Sequence, residues 1–417
     1  MFGIDIKPFS NLFKSYYIRE TRLIADNKKI IKPHDRIFPV LEKIDMKKWL
    51  CFYENINYKI AASLYRLLSN AAKDYGIKIS EPELVEIPRR SSAKEWINKV
   101  EYYFSIDNNE YSFVIFLLNN NSYLYKILKQ HSLYKRGYVS QVVNIKKFKC
   151  GTKLSIYSKI LLQINSKLGG ISYKLEFDDK YKNKYRNFMI IGVSSSHIEK
   201  KRTGVGMVAT INDNFTKFFN KEQIINEKNK NQLSYNISCF LETAIKIYEN
   251  ENKFSPENII IYRQGVSREQ KYYLTNEIRN INYVCEKHKI LYYYILVNKK
   301  IKYKFFEHKN NEFFNPNSNL LVLDGITNKN FFEFYIQPQE VTEGSAIPIC
   351  YHVAYGNLNC PDLIPKLTFD LCNLHCNFQG KISVPHVLKS AKILARMAAK
   401  YMPEDINQYY RYGKMYL

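Results

Sequence analysis

Five polar and aromatic side chains in the first half of the chain are spaced so that they can meet around one small ligand. Tyr125 and Lys129 lie four residues apart in a segment of helical pattern, so they share one helix face. Gln163 and Lys167 repeat this spacing in a second helical segment, and Gln141 lies between the two. A ring can stack on a base while amides and ammonium groups hold its phosphate. The set is typical of a site for a phosphorylated terminal nucleotide, although two solvated amphipathic helices would show the same spacing.

The charge balance of the whole chain also favours a polyanionic ligand. Among its 417 residues, 63 Lys and Arg oppose 39 Asp and Glu, which gives a formal net charge of +24. A basic surface gains affinity for nucleic acid because neutralised phosphates release counterions. The 35 Tyr and 25 Phe supply rings that can stack on bases. AT-rich coding would also enrich Lys, Asn, Ile and Tyr, so composition alone does not separate nucleic-acid binding from compositional drift.

Three features of the sequence disfavour a membrane or secreted protein. The longest apolar runs, Tyr111–Leu118 and Ile290–Val297, are far shorter than the roughly 20 residues that a membrane span needs. The first residues lack the basic region and apolar stretch of a secretory signal. Eight Cys in a chain of this length do not indicate a disulfide framework, which favours a reducing compartment. The sequence therefore predicts an intracellular protein without a membrane partner, and it leaves cytoplasm and nucleus open.

The elements that must position these residues follow an α/β pattern. Residues 1–48 mix short apolar pieces with Lys-rich, Pro-containing stretches and predict an extended linker. Strand and helix patterns alternate over residues 49–180, with helices predicted at Asn57–Tyr75 and Leu154–Lys167. This alternation is typical of an open α/β sheet. The Gly- and Lys-rich residues 168–186 then predict a domain boundary.

The second half of the chain, residues 181–417, begins with strands and ends with helices. An apolar strand is predicted at Phe188–Val193, and a basic turn at Glu199–Gly204 separates two further strand segments. Two closing helices are predicted at Leu363–Cys376 and His386–Tyr401, the second with its apolar residues on one face. The fold class predicted for the whole chain is therefore α/β.

Five strings, in unbroken order, resemble the Piwi branch of the Argonaute family. They are SQVVN (140–144), KILLQINSKLGG (159–170), IIIYRQGVSREQ (259–270), EGSAIPICYHVAYGN (343–357) and LTFDLCNLHCNFQGKISVP (367–385). The resemblance covers about residues 45–417. It implies a linker at 1–48, a MID domain with a Rossmann-like sheet at 49–180 and a PIWI domain with an RNase H-like fold at 181–417. The N and PAZ domains of full-length relatives have no counterpart here, and a natural start and a truncation at Met1 stay equally open.

The resemblance also assigns roles to the five residues introduced above. It implies that Tyr125, Lys129, Gln141, Gln163 and Lys167 anchor the 5′-phosphate of a small guide RNA, or of a guide DNA. The C-terminal carboxylate of Leu417 would assist through one bound Mg²⁺. The implied partners are the guide, a complementary target RNA or DNA, and a protein that supplies an effector or a PAZ-like function.

The resemblance implies that the nuclease centre of the family is degenerate in this chain. Family members that cut RNA use an Asp–Glu–Asp–His/Asp tetrad, since two Mg²⁺ ions about 4 Å apart need anionic oxygen ligands. The matching positions are Ser194 within GVSSSH, Gln264, Lys392 and, by counting back from a helix, Gln232. Three neutral side chains and an ammonium group are poor Mg²⁺ ligands. We therefore expect no catalytic cofactor and no slicing, even if one of the nearby carboxylates took part (Glu222, Glu227 or Glu242).

Basic residues suggest contacts with the nucleic-acid backbone. By the resemblance, Lys392 lies where a paired target strand passes, and Lys200, Lys201 and Arg202 form a basic turn, although both groups would also suit a solvated surface.

Three functions compete at this point: a guide-binding protein that does not cut, an interaction scaffold that has lost its guides, and a nuclease with relocated ligands. RNA co-purification separates the first two, and a metal-dependent cleavage assay tests the third.

Overall fold

The structure, a computed structural model, describes residues 13–414 with short gaps. The gaps are 33–34, 36, 107–110, 149–153, 199–201, 226–231, 266–270, 300, 302, 328–331, 358–362, 378–379, 404 and 407. The described part begins with three short strands, β1 (Tyr16–Tyr17), β2 (Arg22–Ile24) and β3 (Ile30–Ile31). It continues through two sheets with helices packed against them.

The first sheet has four parallel strands in the spatial order β5-β4-β6-β7. Strands and helices alternate along the chain: β4 (Trp49–Glu54), α1 (Tyr58–Tyr75), β5 (Glu83–Ile87), α2 (Ala93–Ile106), β6 (Phe113–Leu118), α3 (Ser122–Gln130), β7 (Ser140–Asn144) and α4 (Leu154–Lys167). Every residue of β6 is buried, as expected for a central parallel strand covered on both faces. The crossover order and parallel strands make this half Rossmann-like, as the resemblance implied, and the alternation in the sequence predicted an open α/β sheet.

Local signals in the sequence set where these helices begin and end. α1 buries Leu64 and Leu68 on one face and ends at Gly76, whose φ of +66° suits the left-handed C-cap conformation. α3 begins after Asn121, whose side-chain oxygen accepts a hydrogen bond from the Leu124 amide at 3.0 Å. A π-helical turn, His131–Lys135, extends α3 and buries most of its side chains. Consequently α3 points its C-terminal end toward the start of β7.

The segment that connects the two halves also makes sheet contacts. It contains β8 (Lys174–Glu176) and α5 (Asp179–Lys182), and β8 pairs with β2, which in turn pairs with β3. The N-terminal stretch and the Gly- and Lys-rich segment are thus joined in a three-stranded sheet. The domain boundaries at residues 48 and 180 stay predictions.

The second half forms a ten-stranded sheet in the order β1-β16-β17-β18-β13-β12-β9-β10-β11-β19. The central strands β9, β12 and β13 are parallel, and β9, β10 and β11 form an antiparallel meander. The strands are β9 (Phe188–Ile198), β10 (Arg202–Thr210), β11 (Phe218–Ile225), β12 (Asn258–Gln264), β13 (Leu291–Asn298), the separate hairpin β14 (Glu307–Lys309) and β15 (Glu312–Phe314), β16 (Leu320–Val322), β17 (Glu333–Gln337), β18 (Ile349–Gly356) and β19 (Gln408–Tyr412).

Helices cover both faces of this sheet. α6 (Gln232–Asn252) and α7 (Lys271–His288) pack on one face, whereas α8 (Leu363–Leu371) and α9 (His386–Tyr401) belong to the core on the other face. α9 lies so close to the sheet that a Cβ atom on Gly192, Gly204 or Gly206 would collide with its backbone. These glycines therefore fix α9 directly above β9 and β10 and leave its outer face to line a groove.

Most predicted elements match those of the structure, and a few do not. α4 and α9 have the predicted bounds. The predicted helix Leu363–Cys376 ends at Leu371, and its last residues form turns in which the Cys372 carbonyl accepts a hydrogen bond from the Ile382 amide. Of the predicted turn Glu199–Gly204, residues 199–201 lie outside the described ones, and the rest belongs to β10, which begins at Arg202. The sequence analysis missed α2, α5, α7, β4, β5, β8, β11 and β19, and also the short strands β1, β2, β3, β14 and β15.

Candidate nucleic-acid interface

The C-terminal ends of α3 and α4 bring two predicted lysines to one backbone carbonyl at the start of β7. Lys129 Nζ donates hydrogen bonds to the Ser140 carbonyl oxygen at 3.2 Å and to Ser140 Oγ at 3.1 Å. Lys167 Nζ donates to the same carbonyl at 2.8 Å and to Gln141 Oε1 at 2.7 Å. Three of the five residues predicted to form a phosphate pocket therefore meet in one place. We call Lys129, Gln141 and Lys167, with Ser140 between them, the lysine pocket.

The two ammonium groups of this pocket are buried and repel one another. Lys129 is 2% exposed and Lys167 is 4% exposed. Burial, followed by the nearby Arg411 guanidinium, lowers the pKa of Lys129 to about 8. Burial, followed by Lys129, lowers the pKa of Lys167 well below its ordinary value. Among the described residues no carboxylate pairs with either ammonium group, and buried cations without a counter-ion are costly.

The other predicted members of this site have different positions. Tyr125 is half-buried, and its ring lies 5.5 Å from that of Tyr401 at the end of α9. Burial, followed by Tyr401, raises the pKa of Tyr125 to about 12. Gln163 is half-buried one turn before Lys167 on α4. Leu417 lies outside the described residues, so its predicted contribution stays a prediction.

A buried ion pair lies beside the lysine pocket and joins the two halves of the molecule. Arg411, on β19, pairs with Glu222 on β11, and Tyr134 from the π-helical turn donates a hydrogen bond to Glu222 at 2.7 Å. The Arg411 guanidinium also lies over the rings of Tyr134 and Tyr409, at 5.3 and 4.6 Å from their centroids. Glu222 was a candidate substitute metal ligand, but here it is committed to Arg411 and Tyr134.

Breaking this ion pair should destabilise the fold strongly. Arg411→Met leaves the Glu222 carboxylate buried without its cation, and we expect the free energy of unfolding to fall by about 3–5 kcal/mol in urea titrations. The control is Arg19→Met, which removes an exposed pair with Asp178 at 3.2 Å and should cost at most about 1 kcal/mol. Equal losses in the two variants would contradict the structural role of Arg411.

A long open groove runs from Tyr125 along the outer face of α9. It ends at the C-terminal ends of β9, β12 and β13, in the middle of the ten-stranded sheet. Its volume is about 1230 Å³. Among the described residues that line it, five side chains are basic and none is acidic. The basic ones are Lys299, Lys389, Lys392, Arg396 and Lys400. The groove therefore has the dimensions and charge to hold a nucleic-acid strand.

Three of the four positions that the resemblance matched to the metal-binding tetrad line this groove. Ser194 on β9 and Gln264 at the end of β12 come together because β9 and β12 are parallel neighbours, and Ser194 Oγ donates a hydrogen bond to Gln264 Oε1. Lys392 lines the same end from α9. Gln232 is the first residue of α6, on the opposite side of the sheet, and is not part of the groove lining.

The donors at these positions do not fit a pair of Mg²⁺ ions. Mg²⁺ prefers carboxylate and other oxygen ligands in an octahedron, whereas this end of the groove offers a hydroxyl, an amide and ammonium groups. Of the other candidate carboxylates, Glu242 pairs with Lys287 and Glu227 lies outside the described residues. Within the described part of the chain, no group of three or more His, Cys, Asp or Glu side chains could hold a metal ion.

The predicted basic turn is only partly described. Lys200 and Lys201 lie outside the described residues. Arg202 is half-buried in β10, and its guanidinium donates a hydrogen bond to the Met402 carbonyl. Arg202 therefore braces the end of α9 against the sheet and belongs to β10 instead of the predicted turn, while its contact with a nucleic-acid backbone stays a prediction.

The sequence analysis missed four of the five basic groove residues. Lys392, Arg396 and Lys400 recur every four residues on α9, so the helical spacing could have revealed the second and third of them. Lys389 lies one turn earlier on the same helix. Lys299 follows β13, and only the parallel pairing of β13 with β12 places it beside Gln264. No local signal in the sequence could have identified Lys299.

No helix among the described residues combines the length and the hydrophobicity that crossing a membrane requires. The candidate site thus consists of two electropositive regions, the lysine pocket and the groove along α9.

The comparisons with known proteins agree with this geometry. A family model described as the Piwi domain matches residues 112–403. Protein argonaute-3 of Drosophila melanogaster is 27% identical over 377 residues, which cover 88% of this chain and 42% of that protein. The chain thus spans less than half the length of this relative.

Two solved structures have the same fold. Drosophila Piwi superposes with a TM-score of 0.83 at 22% identity, over 97% of this chain and 56% of that chain. The Argonaute of Kluyveromyces polysporus, solved with a guide RNA, superposes with a TM-score of 0.77 at 16% identity, over 93% and 50%. The predicted α/β fold, a Rossmann-like MID part followed by an RNase H-like PIWI part, is confirmed. The chain carries a Piwi domain and belongs to the Piwi and Argonaute family.

Proposed function

We propose that this chain holds a small guide nucleic acid by its 5′-phosphate and uses it to recognise complementary RNA or DNA without cutting it. The observation that carries the proposal is the convergence of Lys129 and Lys167 on the Ser140 carbonyl, with Gln141 beside them. A guide RNA accompanies the Kluyveromyces polysporus Argonaute, which shares the fold. The domains through which we propose this function are MID at 49–180 and PIWI at 181–417.

The lysine pocket suits a terminal phosphate better than an internal phosphodiester. A phosphomonoester carries close to two negative charges at pH 7 and has three acceptor oxygens. Two ammonium groups can neutralise both charges, and the Gln141 amide can donate to a third oxygen. Tyr125 lies one turn before Lys129 on α3, at the entrance of the groove, so its ring can stack on the first base. A 5′-hydroxyl end would offer nothing to balance the buried cations.

The proposed Mg²⁺ at this phosphate depends on residues beyond the described ones. The nearby carboxylate of Glu222 is committed to Arg411 and Tyr134. The ion would therefore need guide phosphate oxygens and the Leu417 carboxylate as ligands. When bound, it would supply additional positive charge at the phosphate, and Gln163 would then contribute its amide to the same end of the guide.

The absence of slicing in this proposal follows from the donors at the end of the groove. Ser194, Gln264 and Lys392 offer no carboxylate to a metal ion, so a bound target would be held and not hydrolysed. Any effect on the target would then come from a protein partner that acts on the assembled complex. A second partner with a PAZ-like function would hold the guide 3′ end.

Sequencing of co-purified nucleic acid tests the proposal. We expect protein from its native source to carry small guides of narrow length distribution, which ligate to a 3′ adaptor and react as 5′-phosphates. The variant Lys129→Ala/Lys167→Ala should lose them, and Lys246→Ala, an exposed lysine on α6, should retain them. Protein without nucleic acid, or with 5′-hydroxyl fragments of random length, would overturn the proposal in favour of an interaction scaffold that keeps the fold without guides.

A further inference from the structure

The groove end around Ser194 offers mainly hydrogen-bond donors to a ligand, where carboxylates would offer acceptors. Ser194 and Gln264 form the floor, Lys299 follows β13 on one side, and Lys389 and Lys392 face it from α9. Carboxylates at such a place would bind metal ions, which would in turn bind phosphate oxygens. Here the Gln264 amide nitrogen and the ammonium groups can instead donate directly to those oxygens, while the Ser194 hydroxyl, whose proton goes to Gln264 Oε1, orients that amide.

The three lysines of this group share one electrostatic environment. Desolvation at the groove wall, followed by the charges of Lys392 and Lys389, lowers the pKa of Lys299. Lys299 Nζ donates a hydrogen bond to Ser383 Oγ, a neutral partner that leaves its charge unbalanced. No ion pair with a carboxylate is formed by any of the three within the described residues. An anion placed among them would relieve this repulsion.

The shape of the groove indicates that the anion belongs to a strand. Arg396 and Lys400 continue the row of basic residues along α9, and Lys400 lies about 12 Å beyond Lys392, given a rise of 1.5 Å per residue. Along this path the groove remains open as far as Tyr125. A free phosphate would fill only one end of it, whereas a nucleic-acid strand presents a charge at each of these cations in turn.

On the basis of the proposed function, we propose that Lys299, Lys389 and Lys392, over the Ser194–Gln264 floor, clamp one phosphodiester of the guide–target duplex without a metal ion. We call these five residues the phosphate clamp. Protein cations thus take the position and part of the role that metal ions have in a cutting enzyme, and they hold the strand without activating water. The consequence is a stable complex that needs no Mg²⁺ at this end of the groove.

The clamp is tested by replacing single charged phosphates of the nucleic-acid backbone with neutral groups, one position at a time. Protein is first loaded with a 5′-phosphorylated guide, and guide retention is measured by filter binding in EDTA. Target affinity is then measured for duplexes in which a single methylphosphonate replaces each phosphate in turn, on the target strand in one series and on the guide strand in the other. We expect one position, or two adjacent ones, to weaken target binding about tenfold in EDTA and in Mg²⁺ alike.

Variants assign this penalty to the clamp. In Lys392→Gln and Lys299→Gln, the methylphosphonate at the sensitive phosphate should cause at most one-third of the affinity loss seen in native protein, because the cation that contacts this phosphate is gone. Both side chains are exposed, so these changes leave the core intact. Lys246→Gln, on the opposite face of the sheet, should keep the full penalty.

Three results would overturn the clamp: a flat scan on both strands, a penalty that Lys392→Gln leaves unchanged, and a penalty that requires Mg²⁺. A flat scan with normal guide retention overturns the clamp alone. Guides that fail to load overturn the proposed function and the clamp with it.

Discussion

Replacing Lys129 and Lys167 by alanine is expected to erase the preference of this protein for 5′-phosphorylated guides. Each charge-assisted contact to the phosphate contributes roughly 1.5–3 kcal/mol, so each single variant should lose about tenfold to a hundredfold in affinity. The double variant should bind phosphorylated and hydroxyl guides equally. Filter binding at about 150 mM salt measures this, and Lys400→Ala, in the groove, should instead weaken both guides alike.

The affinity for phosphorylated guides should also depend on pH. Lys129 has a pKa of about 8 before the guide arrives. A bound phosphate favours the charged ammonium, so binding takes up protons, and affinity should fall as the pH rises above about 8. Hydroxyl guides should show little of this decline, since no dianion meets the pocket. An affinity for phosphorylated guides that is constant between pH 7 and 9.5 would contradict a role for Lys129 in phosphate binding.

The free energy of unfolding of the protein without a guide should rise with pH, whereas its affinity for the guide should fall. The folded-state pKa of Lys129 lies below the ordinary value of 10.5, so the unfolded chain binds more protons between about pH 8 and 10.5. In that range its contribution to stability rises with pH. Lys129→Met, which removes the buried charge, should therefore raise the free energy of unfolding at pH 7 by about 1 kcal/mol, after loss of the hydrogen bonds to Ser140. A lysine kept for structure alone would show the reverse.

The sequence placed Lys129 and Lys167 at regular helical positions, and the structure brings both together with Gln141. That this group binds a phosphate stays a prediction. Tyr125 and Lys129 are one turn apart on α3, and Lys167 ends α4, so helical spacing and the strings around them placed them correctly. The groove was predicted poorly, since it depends on tertiary contacts. Lys299 joins Gln264 only because two strands far apart in sequence pair in parallel.

The missed elements have a similar physical explanation. α7 carries many polar residues, and β11 contains Asn, Lys, Glu and Gln that are buried by neighbouring strands. A hydrophobic pattern cannot reveal a strand whose polar side chains are buried through partners such as Arg411 and Tyr134. Similarly, the sequence left Glu222 as one of three carboxylates that could substitute as a metal ligand, and the structure shows it in an ion pair with Arg411.

Guide-loaded protein is expected not to cut a matched target in Mg²⁺ or Mn²⁺, and this is the largest effect that we predict. The residues of a catalytic centre act as a unit, and the loss of one or more typically costs about 10⁴–10⁶-fold in rate. Cleavage of the target within the paired region, abolished by EDTA, would refute it. The single reversions Ser194→Asp and Gln264→Asp should not restore cutting, because two metal ions need their ligands together.

The combined reversions test our expectation that the native groove end does not bind metal ions. In Ser194→Asp/Gln264→Asp the two carboxylates lie side by side, but the ammonium of Lys392 and its neighbours still compete with a metal ion for them. Adding Lys392→Asp removes the nearest competitor and supplies a third oxygen ligand. We therefore expect calorimetry to detect Mn²⁺ binding at this end of the groove in the triple variant and in neither single variant. The matched triple alanine variant should bind none, and Mn²⁺ binding of equal strength by native protein at this site would show that the donor set had been misjudged.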